Sequence, residues 1–183
     1  MKKWVNIPNT LSTMRIMTIP VIMYLIFHTT PQTFPILITV YFFSICLDFF
    51  DGFLARKLSQ ETELGKILDP IADKLMVFAL VFSLIVKADF PLWLGIVIVA
   101  RDILILIAGA VIFKGKHTIL SSILVGKITF GLLSALLLIY ILDLSVSIDL
   151  EVLKNFFVPL CTCFIAWSFL EYYKIYIRKK HEY

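Results

Sequence analysis

Six apolar runs, each close to 20 residues, follow one another along this 183-residue chain, at 11–28, 33–56, 67–86, 91–113, 123–142 and 154–177. A helix needs about 20 residues to cross the hydrocarbon core of a bilayer. Lipid supplies no hydrogen-bond partners, so each spanning segment must satisfy its own backbone, which selects helices over open strands. The expected fold is all-α, an integral membrane bundle of six transmembrane helices. Composition agrees: 60% of residues are hydrophobic, 16% are charged and the mean hydropathy is +0.95. The length suits one domain, so residues 1–183 are read as a single membrane domain.

The breaks between runs have ordinary causes. Thr29-Thr30-Pro31 separates the first two, Ala88-Asp89-Phe90-Pro91 the third and fourth, and Lys114-Gly115-Lys116-His117 follows the fourth. The polar stretch from Asp143 to Glu151 follows the fifth. Pro20 and Pro159 fall inside runs, where each removes a helical hydrogen bond and is expected to kink the helix.

Charge placement predicts the topology. Lys2, Lys3, Arg15, Arg56, Lys57, Lys66, Lys74, Lys114, Lys116, Lys127, Lys174, Arg178, Lys179 and Lys180 fall on one side of a six-span arrangement; Lys87 and Lys154 fall on the other. The positive-inside rule then puts both termini in the cytoplasm. The net charge of +4 reads as attraction to anionic headgroups and not to nucleic acid. Lys2 and Lys3 ahead of an apolar stretch imitate a signal peptide, but His28-Thr29-Thr30-Pro31 offers no small-residue cleavage site, so the first span is expected to be retained.

Four carboxylates interrupt the apolar pattern at fixed intervals: Asp48-x-x-Asp51-Gly52-x-x-Ala55-Arg56, eight residues, then Gly65-x-x-x-Asp69-x-x-x-Asp73. On helices, Asp48 and Asp51 are i,i+3 and Asp69 and Asp73 are i,i+4, so each pair shares a face. Charges in or beside membrane helices are expensive and mark function. Divalent cations bound together with a phosphate-bearing substrate would neutralise these. The array straddles the 56–67 loop at the cytoplasmic ends of spans two and three. A water-soluble substrate and a divalent cation would reach a cytoplasm-facing polar cavity there. A cation channel or transporter also uses intramembrane carboxylates. That non-enzyme alternative accounts for the aspartates but not for Gly52, Ala55, Arg56 and Gly65. Gly52 and Ala55 have a competing role in close helix packing.

Other chemistry is poorly served. Cys46, Cys161 and Cys163 lack metal-type spacing and read as small packing residues. His28, His117 and His181 are scattered at span ends. No Walker loop, dinucleotide fingerprint or covalent nucleophile is evident.

The array resembles the signature of the CDP-alcohol phosphatidyltransferase family, D-x2-D-G-x2-A-R-x8-G-x3-D-x3-D, at all eight fixed positions. With each residue type at roughly 5–10% usage, a chance match at a given start is on the order of 10⁻⁹. The resemblance implies an enzyme that moves the phosphatidyl group of a CDP-linked lipid to an alcohol and releases CMP. It implies two Mg²⁺ ions, with Mn²⁺ able to substitute, held by Asp48, Asp51, Asp69 and Asp73. It gives Asp73 the added catalytic role of taking the acceptor hydroxyl's proton. Neighbouring carboxylates raise the pKa of such an aspartate and metals lower it. The CDP-lipid contacts carried over are Asp48, Gly52, Ala55, Arg56 and Gly65, with cytidine against Gly52 and Ala55 and the phosphates near Arg56. Gly65 is expected to permit the turn before span three. A homodimer is also implied.

Arg101 in the middle of span four, Lys127 at the start of span five and Arg15 in span one are candidates for gripping an acceptor phosphate, an arginine doing so with a bidentate fork. The competing reading is internal pairing, of Arg101 with Asp102 or of Lys127 with an aspartate. Asn6-Ile7-Pro8-Asn9-Thr10-Leu11-Ser12 with Arg15 and Pro20, and Leu68-Asp69-Pro70-Ile71-Ala72-Asp73-Lys74-Leu75, resemble the bacterial phosphatidylglycerophosphate synthase branch. That likeness implies CDP-diacylglycerol as donor, sn-glycerol 3-phosphate as acceptor and a multi-pass place in the bacterial cytoplasmic membrane. Two features depart from the branch. Arg101-Asp102 stands where it usually has Arg-Glu, and Ile128-Thr129-Phe130 follows Lys127 where it usually has a second Lys and then Thr. The Arg-Asp pair and Glu171-Tyr172-Tyr173-Lys174 are also similar to cardiolipin synthases, whose acceptor is phosphatidylglycerol.

Overall fold

The computed structural model describes residues 7–57, 63–114, 124–145 and 150–180, with side chains over 10–47, 50, 71–105, 124–145 and 150–171. The described residues form α1 (Ile7–Phe27), α2 (Phe34–Lys57), α3 (Glu63–Lys87), α4 (Leu92–Lys114), α5 (Leu124–Asp143) and α6 (Glu151–Lys180). None of them forms a strand, so the fold is all-α. Each helix contains one apolar run. By length and composition, α1, α5 and α6 can each cross a membrane, through Thr10–Phe27, Leu124–Asp143 and Glu151–Glu171. In α2 the described apolar stretch is Phe34–Leu47. Pro20 and Pro159 sit inside α1 and α6, and each helix continues through its proline.

Several polar side chains of these helices turn inward, and many large apolar ones turn outward. Ser12, Arg15, Ser44, Ser83, Arg101, Asp102, Thr129 and Ser168 are buried. Met17, Tyr24, Phe43, Ile96, Phe156 and Leu170 lie on exposed faces. Large apolar surface on this scale is tolerated where lipid is the solvent.

The chain divides into two compact units, the first carrying α1, α2 and α3 and the second α4, α5 and α6. In the first unit α1 packs against both α2 and α3. Its inward stripe is Ser12, Arg15, Ile19, Ile22 and Ile26, at alternating spacings of three and four. From α2 come Leu37, Tyr41, Ser44 and Leu47; from α3 come Ala72, Ala79, Leu80, Ser83 and Leu84. The turn between α1 and α2 satisfies helix ends with hydroxyls. Thr29 Oγ1 donates to Leu25 O at 2.8 Å. Thr30 N donates to Thr33 Oγ1 at 2.8 Å and Thr33 N to Thr30 Oγ1 at 3.2 Å, a reciprocal cap for α2. After α3 the chain turns through Asp89, whose φ of 50° is left-handed, a conformation Asp tolerates better than most residues.

In the second unit α6 packs against α5 and α4. Buried Thr129 donates to Val125 O at 2.7 Å within α5 and to Phe164 O at 3.3 Å on α6. The Cys161 thiol donates to Leu132 O at 3.5 Å. The packing role expected of the cysteines thus fits buried Cys161, whereas Cys46 and Cys163 are exposed. At the start of α4, Phe90 meets Tyr140 edge-on at 4.8 Å.

Candidate active site

The aspartate array lies on two helices of the first unit. α2 runs unbroken through positions 48, 51, 52, 55 and 56, and α3 through 65, 69 and 73. The i,i+3 and i,i+4 relationships are therefore helical ones, and each aspartate pair shares a face. The side chains of Asp48, Asp51, Ala55, Arg56 and Asp69 lie outside the described residues, as do the surroundings of Gly52 and Gly65. Gly65 corrects one expectation. It belongs to the first turn of α3, which begins at Glu63, and not to the preceding turn. The first backbone N–H groups of a helix have no partner within it, so a flexible residue weakens this turn less than it would the interior.

Asp73 is described, and it has a partner the sequence spacing did not reveal. Arg15 Nη2 on α1 donates to Asp73 Oδ1 at 2.5 Å, across 58 positions of sequence. The Arg15 side chain is 3% exposed and that of Asp73 is 39% exposed. The cation is thus sunk in the helix packing and the carboxylate stands at its edge. One turn along α1, Thr18 Oγ1 approaches Arg15 O at 2.6 Å and Ser44 Oγ on α2 at 2.9 Å. Ser44 precedes Asp48 by four residues, so the two positions share a face of α2. One short stretch of α1 therefore holds both α2 and α3 where the array begins and ends. Thr18 and Ser44 were not singled out by sequence reasoning. Their only signal is a hydroxyl placed beside a buried stripe.

The remaining acceptor candidates belong to the second unit. Arg101 and Asp102 on α4 are buried, and Arg101 Nη1 donates to Asp102 Oδ1 at 2.8 Å. The internal pair considered for Arg101 is thus present. Arg101 Nε is buried with no partner among the described residues. Lys127 lies exposed on the first turn of α5.

Four carboxylates are hard oxygen donors of the type Mg²⁺ and Mn²⁺ prefer. Asp73, at the end of the array, is 39% exposed. The donor chemistry of α2 and α3 therefore fits hard divalent cations.

The sequence matches the CDP-alcohol phosphatidyltransferase family over residues 5–169. It is 36% identical over 174 residues to the CDP-diacylglycerol–glycerol-3-phosphate 3-phosphatidyltransferase of Aquifex aeolicus, covering 91% of this chain and 93% of that protein. It is 38% identical over 103 residues to the enzyme of the same name from Pseudomonas fluorescens, covering 55% of this chain and 52% of that one. A cardiolipin synthase (CMP-forming) of Streptomyces coelicolor is 32% identical over 142 residues, covering 75% of this chain and 66% of its own. With its signature complete and the match running through nearly all six helices, the chain belongs to the CDP-alcohol phosphatidyltransferase family.

Proposed function

We propose that this protein transfers the phosphatidyl group of CDP-diacylglycerol to sn-glycerol 3-phosphate, giving phosphatidylglycerophosphate and CMP. The complete aspartate array carries this reading. It stands in a chain 36% identical, over 91% of its length, to a relative named for that reaction.

The reaction is a displacement at phosphorus. Asp73 takes the proton of the acceptor hydroxyl. The hydroxyl oxygen bonds to the phosphorus that carries diacylglycerol. The bond from that phosphorus to CMP breaks, and CMP leaves with the electron pair. Two Mg²⁺ ions, or Mn²⁺, held by Asp48, Asp51, Asp69 and Asp73 would offset the negative charge of the donor's diphosphate. Gly52 and Ala55 let cytidine come close to α2, with Asp48 and Gly65 beside the same nucleotide and Arg56 near the donor phosphates. Arg101 and Lys127 bind the phosphate of the acceptor. Arg15, the third candidate for that phosphate, stands where the acceptor hydroxyl must arrive, beside Asp73.

All six helices span the bacterial cytoplasmic membrane in this reading, with both termini and the aspartate array on the cytoplasmic side. The Lys/Arg asymmetry supports the orientation. The functional unit is a homodimer of one membrane domain, residues 1–183.

Purified protein with labelled CDP-diacylglycerol and a panel of alcohols tests the proposal. Transfer to sn-glycerol 3-phosphate is expected. A second reading has a specific basis in the Arg101-Asp102 pair and the similarity to a cardiolipin synthase. Turnover of phosphatidylglycerol with none of glycerol 3-phosphate would establish it in place of the first.

A further inference from the structure

We infer that Arg15 is a positioning residue for Asp73 and not a ligand of the acceptor's phosphate. The inference deepens the proposed transfer reaction and rests on it. Arg15 occupies the inward stripe of α1 between Ser12 and Ile19, both of which are buried, as Arg15 itself is. A guanidinium in that position costs far more to desolvate than an isoleucine would, so a packing role alone does not account for it. Its Nη2 lies 2.5 Å from Asp73 Oδ1, a charge-assisted contact with one named oxygen of the carboxylate.

The geometry limits what each partner can do. A carboxylate on a half-exposed side chain normally samples several rotamers. Fixing one oxygen against a buried cation restricts both torsions and sets the direction in which the other oxygen is presented. The anchor is itself fixed. Thr18, one turn along from Arg15, is tied to the Arg15 carbonyl at 2.6 Å and to Ser44 of α2 at 2.9 Å. Arg15 thus transmits the α1–α2 register to the carboxylate on α3. Arg15 Nη2 already holds the carboxylate that receives the acceptor's proton, whereas Asp102, the partner of Arg101, has no part in the proposed reaction.

A positioning residue alters turnover, and a phosphate ligand alters acceptor affinity. The full-length protein in detergent, as wild type, Arg15→Gln and Arg15→Lys, is assayed with labelled CDP-diacylglycerol against a titration of sn-glycerol 3-phosphate. Thermal protection by CMP with Mn²⁺ is measured in parallel, as a readout independent of turnover. Arg15→Gln is expected to lower kcat on the order of 10–100-fold while the KM for glycerol 3-phosphate stays within about threefold. Protection by CMP and Mn²⁺ is retained. Arg15→Lys recovers part of kcat, because an ammonium restores the charge without the planar fork. A tenfold or greater rise in KM with kcat preserved would overturn the inference and make Arg15 an acceptor ligand. Loss of protection in both variants would reduce the pair to a structural tie. Should Arg15→Gln fail to fold, Arg15→Lys decides alone: a wild-type kcat would overturn the inference. A wild-type protein that uses none of the alcohols offered would count against the transfer reaction and not against the Arg15–Asp73 relationship.

Discussion

Arg101 and Asp102 are consecutive on α4, yet they hold each other, with Nη1 donating to Oδ1 at 2.8 Å. Successive helical residues point about 100° apart, so neighbours of this kind do not normally meet. The length of the arginine side chain makes the contact possible, and burial makes it favourable, because each charge offsets the other. One nitrogen of the guanidinium is occupied by Asp102, and Nε is buried without a partner among the described residues. An anionic substrate would find there a cation already anchored on one side.

That arrangement supports the first prediction. Arg101→Ala and Lys127→Ala should each raise the KM for a phosphate-bearing acceptor more than the KM for the CDP-lipid. For Arg101→Ala, which removes a charged hydrogen-bond donor from a buried site, losses on the order of 10–1000-fold in kcat/KM are expected. Arg101→Lys should rescue only in part. Steady-state titration of each substrate at saturating levels of the other measures both effects.

The second prediction concerns the metals. Asp48→Asn, Asp51→Asn and Asp69→Asn should each abolish transfer while the protein remains inserted and folded. EDTA should do the same to the wild type, and added Mg²⁺ or Mn²⁺ should restore activity. Full activity in chelator would rule out the metal-assisted route.

Topology is the third. Tags at both termini should be cytoplasmic, reached by an external antibody only after the cytoplasmic membrane is permeabilised. A cysteine probe within residues 143–151 should react in intact cells with an impermeant reagent. The native cysteines at 46, 161 and 163 are replaced first. Labelling of that loop only in permeabilised cells would invert the assignment.

The fourth prediction separates stability from catalysis. Lys154 Nζ forms an ion pair with Asp143 Oδ2 and lies 4.9 Å from the centre of the Tyr140 ring. The contact ties the start of α6 to the end of α5. Lys154→Met or Asp143→Asn should cost about 0.5–1 kcal/mol. For a protein of this size that corresponds to a Tm lower by roughly 1–4 °C. Transfer activity should be unchanged at temperatures well below the transition.

The α1 stripe shows what was legible in advance and what was not. The helix itself was legible, since an apolar run of this length has few other uses. The identity of its inward face was not. In a water-soluble helix, alternation of polar and apolar residues discloses which side is buried. In lipid both sides are apolar, so Ile19, Ile22 and Ile26 look the same in sequence as exposed Met17 and Val21. The same silence hid Arg15. It was legible as an expensive charge needing an anion, and a phosphate and an aspartate answer that need equally well.

The sequence by itself determined the all-α class, the helices to within a few residues, and the aspartate array with its one-face spacing. These depend on distances of three or four residues along a single helix, which chain chemistry dictates locally. Only the tertiary structure decided that Arg15 meets Asp73, that Thr18 meets Ser44, and that Arg101 turns to its own neighbour. Each of these choices depends on the rotation and register of a helix against the ones it packs on, or on which charge lies within reach once water is excluded. That information is not carried by spacing within a helix. It arises when apolar surfaces that look alike in sequence are packed in one particular way.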